Sequence, residues 1–514
     1  MRNCTAVALS LVAALALAQS RPPLFQGMGE HKFKVTTTSP EAQDYFNQGL
    51  VLAYGFNHEE AHRSFSYAAA LDPGCAMAFW GAAYVLGPNL NSNMPSSKND
   101  EALQLATKAL NALDDETPLE RALVIALQSR YAAGKSRKDA DRDYAEAMKA
   151  VVKAFPDESE VLTLTAEALM DLHPWNFWSK EKVAHAWTQE IIDLLLKSEK
   201  MNPGNPGTNH FLIHLWEASP TPEMAEPAAD RLPGLAPGVE HLVHMPGHIL
   251  YRIGRYHDGT ETNVRATVAY DDYARACSDM GMRPIGGYEM HNWDFVWAGA
   301  SYEGRSELAF KAAKRFGENN RNDNKLIFSY VRFGKWTEIL DVRPDDGQGQ
   351  GRRAAILYAR SVAQAHLGDV GAAQAEFAAL TELVGAEPRS TMQKIMRGMA
   401  AGEIAFARGD HDEAVRLLEE ARKQEDSMTR GELHGWHHPV RLLLGKVLLA
   451  AGRAEEAEKE YREQLLIDKN DGWSLFGLAQ ALDAQGKSDE AVGVRERFFR
   501  AWMYSDVKLT ASSF

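Results

Sequence analysis

The strongest constraint on this chain is self-similarity with a period close to 34 residues. Gly49, Ala61, Phe65, Ala68 and Pro73 mark one copy, in the segment FNQGLVLAYGFNHEEAHRSFSYAAALDP. Gly402, Gly409, Ala414 and Ala421 mark a second; Gly445, Gly452, Ala457 and Tyr461 a third; Gly486 and Ala491 a fourth, with Ala457 and Ala491 standing 34 apart. Further copies centre on Gly368, Ala373 and Phe377, on Gly304 with Ala309, and on Gly334 with Trp336. Gly247, Gly254, Tyr256 and Ala266 keep the frame in the middle of the chain. A repeat of this length is a pair of antiparallel helices whose apolar face only the next pair can bury, so the pairs must stack. A chain of 514 residues exceeds one ordinary core and grows by such addition. The pattern predicts an all-α solenoid, a right-handed superhelix of helix pairs with a concave surface.

Composition narrows the setting. Apolar residues make up 45% and charged ones 25%, the balance of a folded protein. A formal charge of −14 argues against nonspecific binding to nucleic acid or anionic lipid, which needs a basic face. The first residues carry Arg2, an apolar run from Ala6 to Ala18, and Ala16 and Ala18 in the spacing of a cleavage site, so residues 1–18 read as a signal peptide. No later segment is apolar over the roughly 20 residues that a membrane span requires. Cys4 precedes the apolar run, which speaks against a lipid anchor, and the mature chain is expected in the periplasm or secreted. Cys75 and Cys277 remain; their separation gives no geometric support for a disulfide, and two small buried residues are expected. Proline and glycine in 201–208, 219–223 and 232–238 bracket helices, whereas RPDDGQGQG at 343–351 reads as a true loop. That loop is the expected boundary between a helical region at 19–342 and a repeat array at 352–514.

Seven of the 17 histidines fall between His210 and His291. His210 and His214 are four apart and Glu217 follows three later, which puts all three on one helical face. His241, His244 and His248 repeat the three-and-four step, with Pro246 either starting a helix or kinking one beside them. His291 opens the helix of the next unit. Six imidazoles and a carboxylate on adjoining helices suit zinc, iron(II), manganese or copper(II) better than calcium or magnesium. Phe211 stands where a zincin peptidase carries its glutamate, so that chemistry is excluded. Each histidine taken alone is more simply a hydrogen-bonded structural residue. His257 is expected in an exposed turn, and His434, His437 and His438 either form a second, weaker binding patch or share one polar loop. Trp216, Tyr251, Tyr288, Trp293 and Trp297 read as packing residues, with Trp175 and Trp178 placed to close the same cavity. No nucleophile elbow, Walker loop or dinucleotide fingerprint is present.

The small-residue and aromatic positions are those of the tetratricopeptide repeat. The stretch from about Tyr45 to Ala312 resembles a group of bacterial tetratricopeptide proteins, through FNHEEAHRSFSYAAALDPGCAMAFWGAAYVLGPN, EALMDLHPWNFW, HFLIHLWEASPTPE, APGVEHLVHMPGHILYRIGRY and HNWDFVWAGASYEGRS. The segments HFLIHLWEASPTPE, APGVEHLVHMPGHILYRIGRY and HNWDFVWAGASYEGRS are also similar to the tetratricopeptide repeat protein 38 family. The resemblance implies the fold and weight on His210, His214, His241, His244, His248 and His291; it implies no settled activity. Two functions are expected in competition. In one, the chain binds copper, zinc or iron through His210, His214, Glu217, His241, His244, His248 and His291, and acts as a metal-dependent oxidoreductase or hydrolase on a small molecule in the concave groove. In the other, it is a non-catalytic scaffold whose groove takes a peptide or protein partner.

Overall fold

The computed structural model describes residues 21–514 apart from 319, 321, 430 and 434; the leader therefore lies outside the described residues. Among the described residues every regular element is helical and none is a β-strand. The helices form two compact units, one taking the described residues up to Ile249 with Arg265–Glu289, the other Leu250–Val264 with Met290–Phe514.

The first unit opens with α1 (Pro40–Tyr54), α2 (His58–Leu71) and α3 (Ala76–Tyr84). The first two starts are chemically specified: Ser39 accepts from the Ala42 amide ahead of Pro40, and Asn57 accepts from the Glu60 amide. The Phe65 ring lies between α1 and α3 where Gly49 and Gly81 face it, and a Cβ at either glycine would collide with that ring. There follow α4 (Asn99–Asn111), α5 (Pro118–Gln128), α6 (Arg137–Ala154), α7 (Ser159–Met170), α8 (Thr188–Met201), α9 (Pro206–Trp216), α10 (Glu226–Leu235) and α11 (Glu240–His244). Pro246 resolves as a break: α11 ends, Met245 intervenes, and α12 (Pro246–Ile253) starts on the proline, which has no amide to donate. α13 (Tyr256–Asp279) is the last helix before the second unit's main stretch.

That stretch runs through α14 (Glu289–Glu303), α15 (Ser306–Gly317), α16 (Lys325–Arg332), α17 (Trp336–Asp341), α18 (Gln350–His366) and α19 (Val370–Val384). It ends in α20 (Thr391–Ala407), α21 (His411–Asp426), α22 (Val440–Ala450), α23 (Ala454–Ile467), α24 (Gly472–Ala484) and α25 (Ser488–Ala501). The wedge recurs here: Tyr461 is gripped by Gly445 and Gly477 as Phe65 is by Gly49 and Gly81, each glycine standing sixteen positions from the ring residue. First helices of successive pairs touch as well, α18 against α20 and α22 against α24. The boundary expected at 343–351 does not fall there. That loop joins α17 to α18 inside the second unit, because Ile339 on one side and Ala354, Leu357 and Tyr358 on the other share one apolar core.

Cys75 and Cys277 are both buried and free, as small core residues, and burial pushes the Cys75 thiol up to about 11. No helix among the described residues is long and apolar enough to cross a membrane. Beneath α3 lies a buried ionic network: Arg130 contacts Asp141 at 3.1 Å and Asp171 at 2.8 Å, and Tyr84 donates to Glu167. Burial, then the neighbouring Asp171, raises the Glu167 carboxyl from 4.5 to about 8.

Two predictions follow from these contacts. Gly477→Ala should destabilise by roughly 1–3 kcal/mol, because the ring of Tyr461 has nowhere to move. Gly493→Ala, in open space on α25, should be neutral or slightly stabilising; paired melting curves decide this. For Glu167, a folded pKa above the unfolded one means its contribution is intact below pH 4.5 and is lost as pH climbs toward 8. Glu167→Gln should therefore gain stability relative to wild type on going from about pH 5.5 to about pH 8.5, on the order of 1–2 kcal/mol, as read by denaturant titration at both values.

Candidate metal centre

α9 carries the first two histidines, and all eleven of its residues are buried. Asn205 caps it by accepting from the Thr208 amide, and Pro206 starts its first turn. A helix covered on every side has no wet face for its polar side chains, so each needs a partner inside. Thr208 finds Thr163 and Ser198 at 2.6 and 2.8 Å, and Asn209 donates to the Pro203 carbonyl at 2.9 Å. The histidines solve the same problem with one nitrogen each.

His210 Nδ1 lies 2.6 Å from the Tyr54 carbonyl at the end of α1. A carbonyl only accepts, so Nδ1 carries the proton and Nε2 the lone pair. That Nε2 is buried with no hydrogen-bond partner. Burial, and then His214 beside it, push His210 well below its ordinary pKa and keep it neutral. His214 Nδ1 is 3.1 Å from Glu217 Oε1, and His248 Nδ1 is 2.8 Å from Glu217 Oε2. Burial alone would raise the Glu217 carboxyl; His248 and the two hydrogen bonds outweigh it and hold the group far below the usual carboxylate range. One carboxylate thus orients two imidazoles, and both leave Nε2 on the far side of the ring.

His210, His214 and His241 each offer a nitrogen within 4.8 Å of the others. Tetrahedral ligation with bonds of about 2.0–2.1 Å needs nitrogens about 3.3 Å apart, so modest side-chain rotation would close the set. His244 Nε2 and His248 Nε2 are 2.9 Å apart, the spacing of an imidazole hydrogen bond and also of two nitrogens at right angles on one ion. The first unit therefore brings together His210, His214, His241, His244 and His248 around Glu217. His291 belongs to the second unit, where its Nε2 is 3.5 Å from Glu432 and its ring meets Phe295 edge-on.

Aromatic rings close the cluster. Phe56 lies 4.6 Å from His210, 5.6 Å from His241 and 5.8 Å from His214, centroid to centroid. Trp175 meets His214 edge-on at 4.9 Å, and Tyr288 stacks on His241 at 4.0 Å. Phe56 and Trp175 have φ of 54° and 60°, the left-handed region that glycine favours. Two bulky residues held there, both against His214, mark stored strain at one place. Beside the cluster is a cavity of about 510 Å³ whose wall includes Phe56 and Tyr288 together with Asn57, His58, Asn89 and Lys98.

Sequence reasoning did not find Phe56, or the Tyr54 carbonyl, because they act from the turn after α1 and from the end of α1, more than 150 residues away. Trp175, placed near the site by its sequence neighbourhood, touches it; Trp178 instead donates to the Leu215 carbonyl and packs on Trp216. His257 is not in an exposed turn: it lies in α13, half-buried, 2.8 Å from Glu303 and stacked on Tyr504. His437 and His438 lie in the loop before α22, but buried, and His434 lies outside the described residues.

Residues 405–472 and 472–497 match models of the tetratricopeptide repeat. No curated protein matches the sequence. Among solved structures, the chain is similar to the human IFIT1 dimer with PPP-AAAA at 14% identity and a TM-score of 0.29, over 90% of this chain and 91% of that one. It is also similar to the APC/C hetero-tetramer Cut9–Hcn1 at 12% identity and 0.27, over 90% and 88%. A third is the P58(IPK) TPR domain at 12% and 0.24, over 87% and 99%. Superpositions this loose transfer neither ligand nor activity; the repeat assignment rests on the matched residues and on the helix pairs themselves.

Proposed function

We propose that this repeat-bearing chain holds a transition metal in its first unit, through His210, His214 and His241, with His244 and His248 completing the imidazole cluster. The observation that carries the reading is the buried His210 Nε2, without a hydrogen-bond partner and turned toward two other imidazoles by the Tyr54 carbonyl. An unsatisfied buried group costs about 1–3 kcal/mol, which a bound ion would recover. Glu217, with both oxygens on Nδ1 atoms, has the position of an outer partner that fixes tautomer and ring orientation rather than that of a ligand. All-imidazole ligation suits zinc, copper or iron. Such an ion would supply Lewis acidity or redox chemistry; the chain's own residues orient it, exclude water with Phe56 and Trp175, and offer a small molecule the adjoining cavity. With the leader expected to be cleaved, the setting is the periplasm or beyond, and the similarity to the tetratricopeptide repeat protein 38 family belongs to the same proposal. The matched repeats at 405–497 favour a second reading for the other unit, a surface for a protein or peptide.

Metal content of untagged protein after reconstitution tests the first reading, with His214→Ala, His248→Ala and their double variant beside it. Ligands acting as one unit are not additive, so each single change should abolish binding and the double variant should lose little more. Glu217→Gln should keep the metal but bind it about 10–100-fold more weakly. A wild-type content below about 0.1 equivalent, with a melting temperature unmoved by chelator, would sink the metal centre.

A further inference from the structure

The cavity beside the histidine cluster has a chemistry of its own, and its whole wall lies in the first unit. α2 contributes His58 and His62, four apart and so on one helical face. Phe56 and Tyr288 contribute rings that also meet His241. The Nε2 atoms of His58 and His62 are both buried without a hydrogen-bond partner; His62 Nε2 comes no nearer than 3.6 Å to the Glu101 carboxylate. Two such nitrogens on one cavity wall call for a polar group from outside the fold, since each left unmet costs about 1–3 kcal/mol.

The charges around the cavity say what kind of group. Gly87 lines it, and directly behind Gly87 stands the Arg130 guanidinium, held by Asp141 and Asp171. Burial, and then that guanidinium, pull His58 from 6.5 down to about 4, and burial also lowers His62. Both imidazoles are therefore neutral at pH 7, and each Nε2 offers a lone pair or a hydrogen according to its tautomer. With Glu59 the pair spells H-E-x-x-H, the pattern of a zinc peptidase. A cation on His58 would face Arg130, however, and neither nitrogen belongs to a set of three donors gathered within 4.8 Å among the described residues. Lys98, on the same wall, is engaged by Glu101 at 3.0 Å, and Glu59 is exposed. Nothing here selects a charged molecule. A hydroxyl both donates and accepts, so it meets an imidazole nitrogen in either tautomer, while flat rings suit the apolar face of a small ring compound. A volume of about 510 Å³ is that of an ordinary small-ligand pocket.

We propose that this cavity binds a neutral polyhydroxylated molecule of the sugar class, with hydroxyls on His58 Nε2 and His62 Nε2 and its C–H face against the Phe56 and Tyr288 rings. The inference rests on the metal reading only in naming the small molecule offered to that centre; binding itself requires no ion.

The test is calorimetric titration of the full chain, stripped of metal and again after reconstitution, with glucose, galactose, mannose, ribose, sucrose and trehalose. At least one should bind the stripped chain with a Kd of about 1 mM or tighter. Its charged relatives, glucosamine and glucose 6-phosphate for a hexose, should bind more weakly. His58→Phe and His62→Leu should each weaken binding roughly tenfold, and His62→Gln, which keeps a polar group, should lose less. On wild type, amide hydrogen exchange should slow at 85–98 and 285–288 when the sugar is bound, a readout that stands even where a variant fails to fold. The proposal is overturned if none of the six binds, if binding appears only after reconstitution, if a charged relative binds as tightly, if folded His58→Phe binds like wild type, or if protection lies only elsewhere. Sugar binding without any bound metal would remove the metal centre and leave this site; bound metal without sugar binding would do the reverse.

Discussion

The architecture depends on a ring held between two glycines. In each wedge an aromatic from a second helix fills the space that two first helices leave by having no side chain there, Phe65 at Gly49 and Gly81, Tyr461 at Gly445 and Gly477. The ring sets how closely neighbouring pairs approach, and the glycines leave it one place to sit. Because the device spans two repeats, a pair without a successor would lack half of it, which is the physical basis of stacking. It also decides what the first helices display: Tyr461 reaches past its two glycines and presents its hydroxyl to Ser512.

The histidine cluster arises where the repeat is pushed furthest from its ordinary form. A typical repeat helix is half wet, but α9 is covered on every side, so its polar residues had to be satisfied within the protein. The solution couples distant elements: a backbone carbonyl from α1, a carboxylate shared between two imidazoles, and rings from two connecting loops. Burial of this kind is costly unless every group has a partner, and in a low-dielectric site the same interactions become strong and directional once they do.

Much of this was legible in sequence, and the division has a physical reason. Helix pairing follows from spacings within about 34 residues, where Gly402, Ala414, Gly445 and Tyr461 carry their meaning locally. The three-and-four steps of His210, His214, His241, His244 and His248 likewise fix a face. Which atom of Glu217 does what was not legible, because spacing places a carboxylate on a face and cannot say whether imidazole nitrogens will take both of its oxygens. Nor could RPDDGQGQG be told from a domain boundary, since a polar glycine-rich loop looks the same whether the helices it joins share a core or not. The contribution of α1, more than 150 residues upstream, has no local signature at all.

The turn at Gly55-Phe56-Asn57 has a consequence for the cluster it covers. In a repeat whose inner helices only pack, the residue just before the capping asparagine is free to be whatever relaxes the backbone, and drift would favour glycine or asparagine there. Phenylalanine at φ 54° forgoes that relaxation, and it does so where its ring meets three imidazoles. The strained backbone of this turn and the buried imidazole cluster therefore come as one unit in this chain, since relaxing the turn with glycine would remove the ring that covers the histidines.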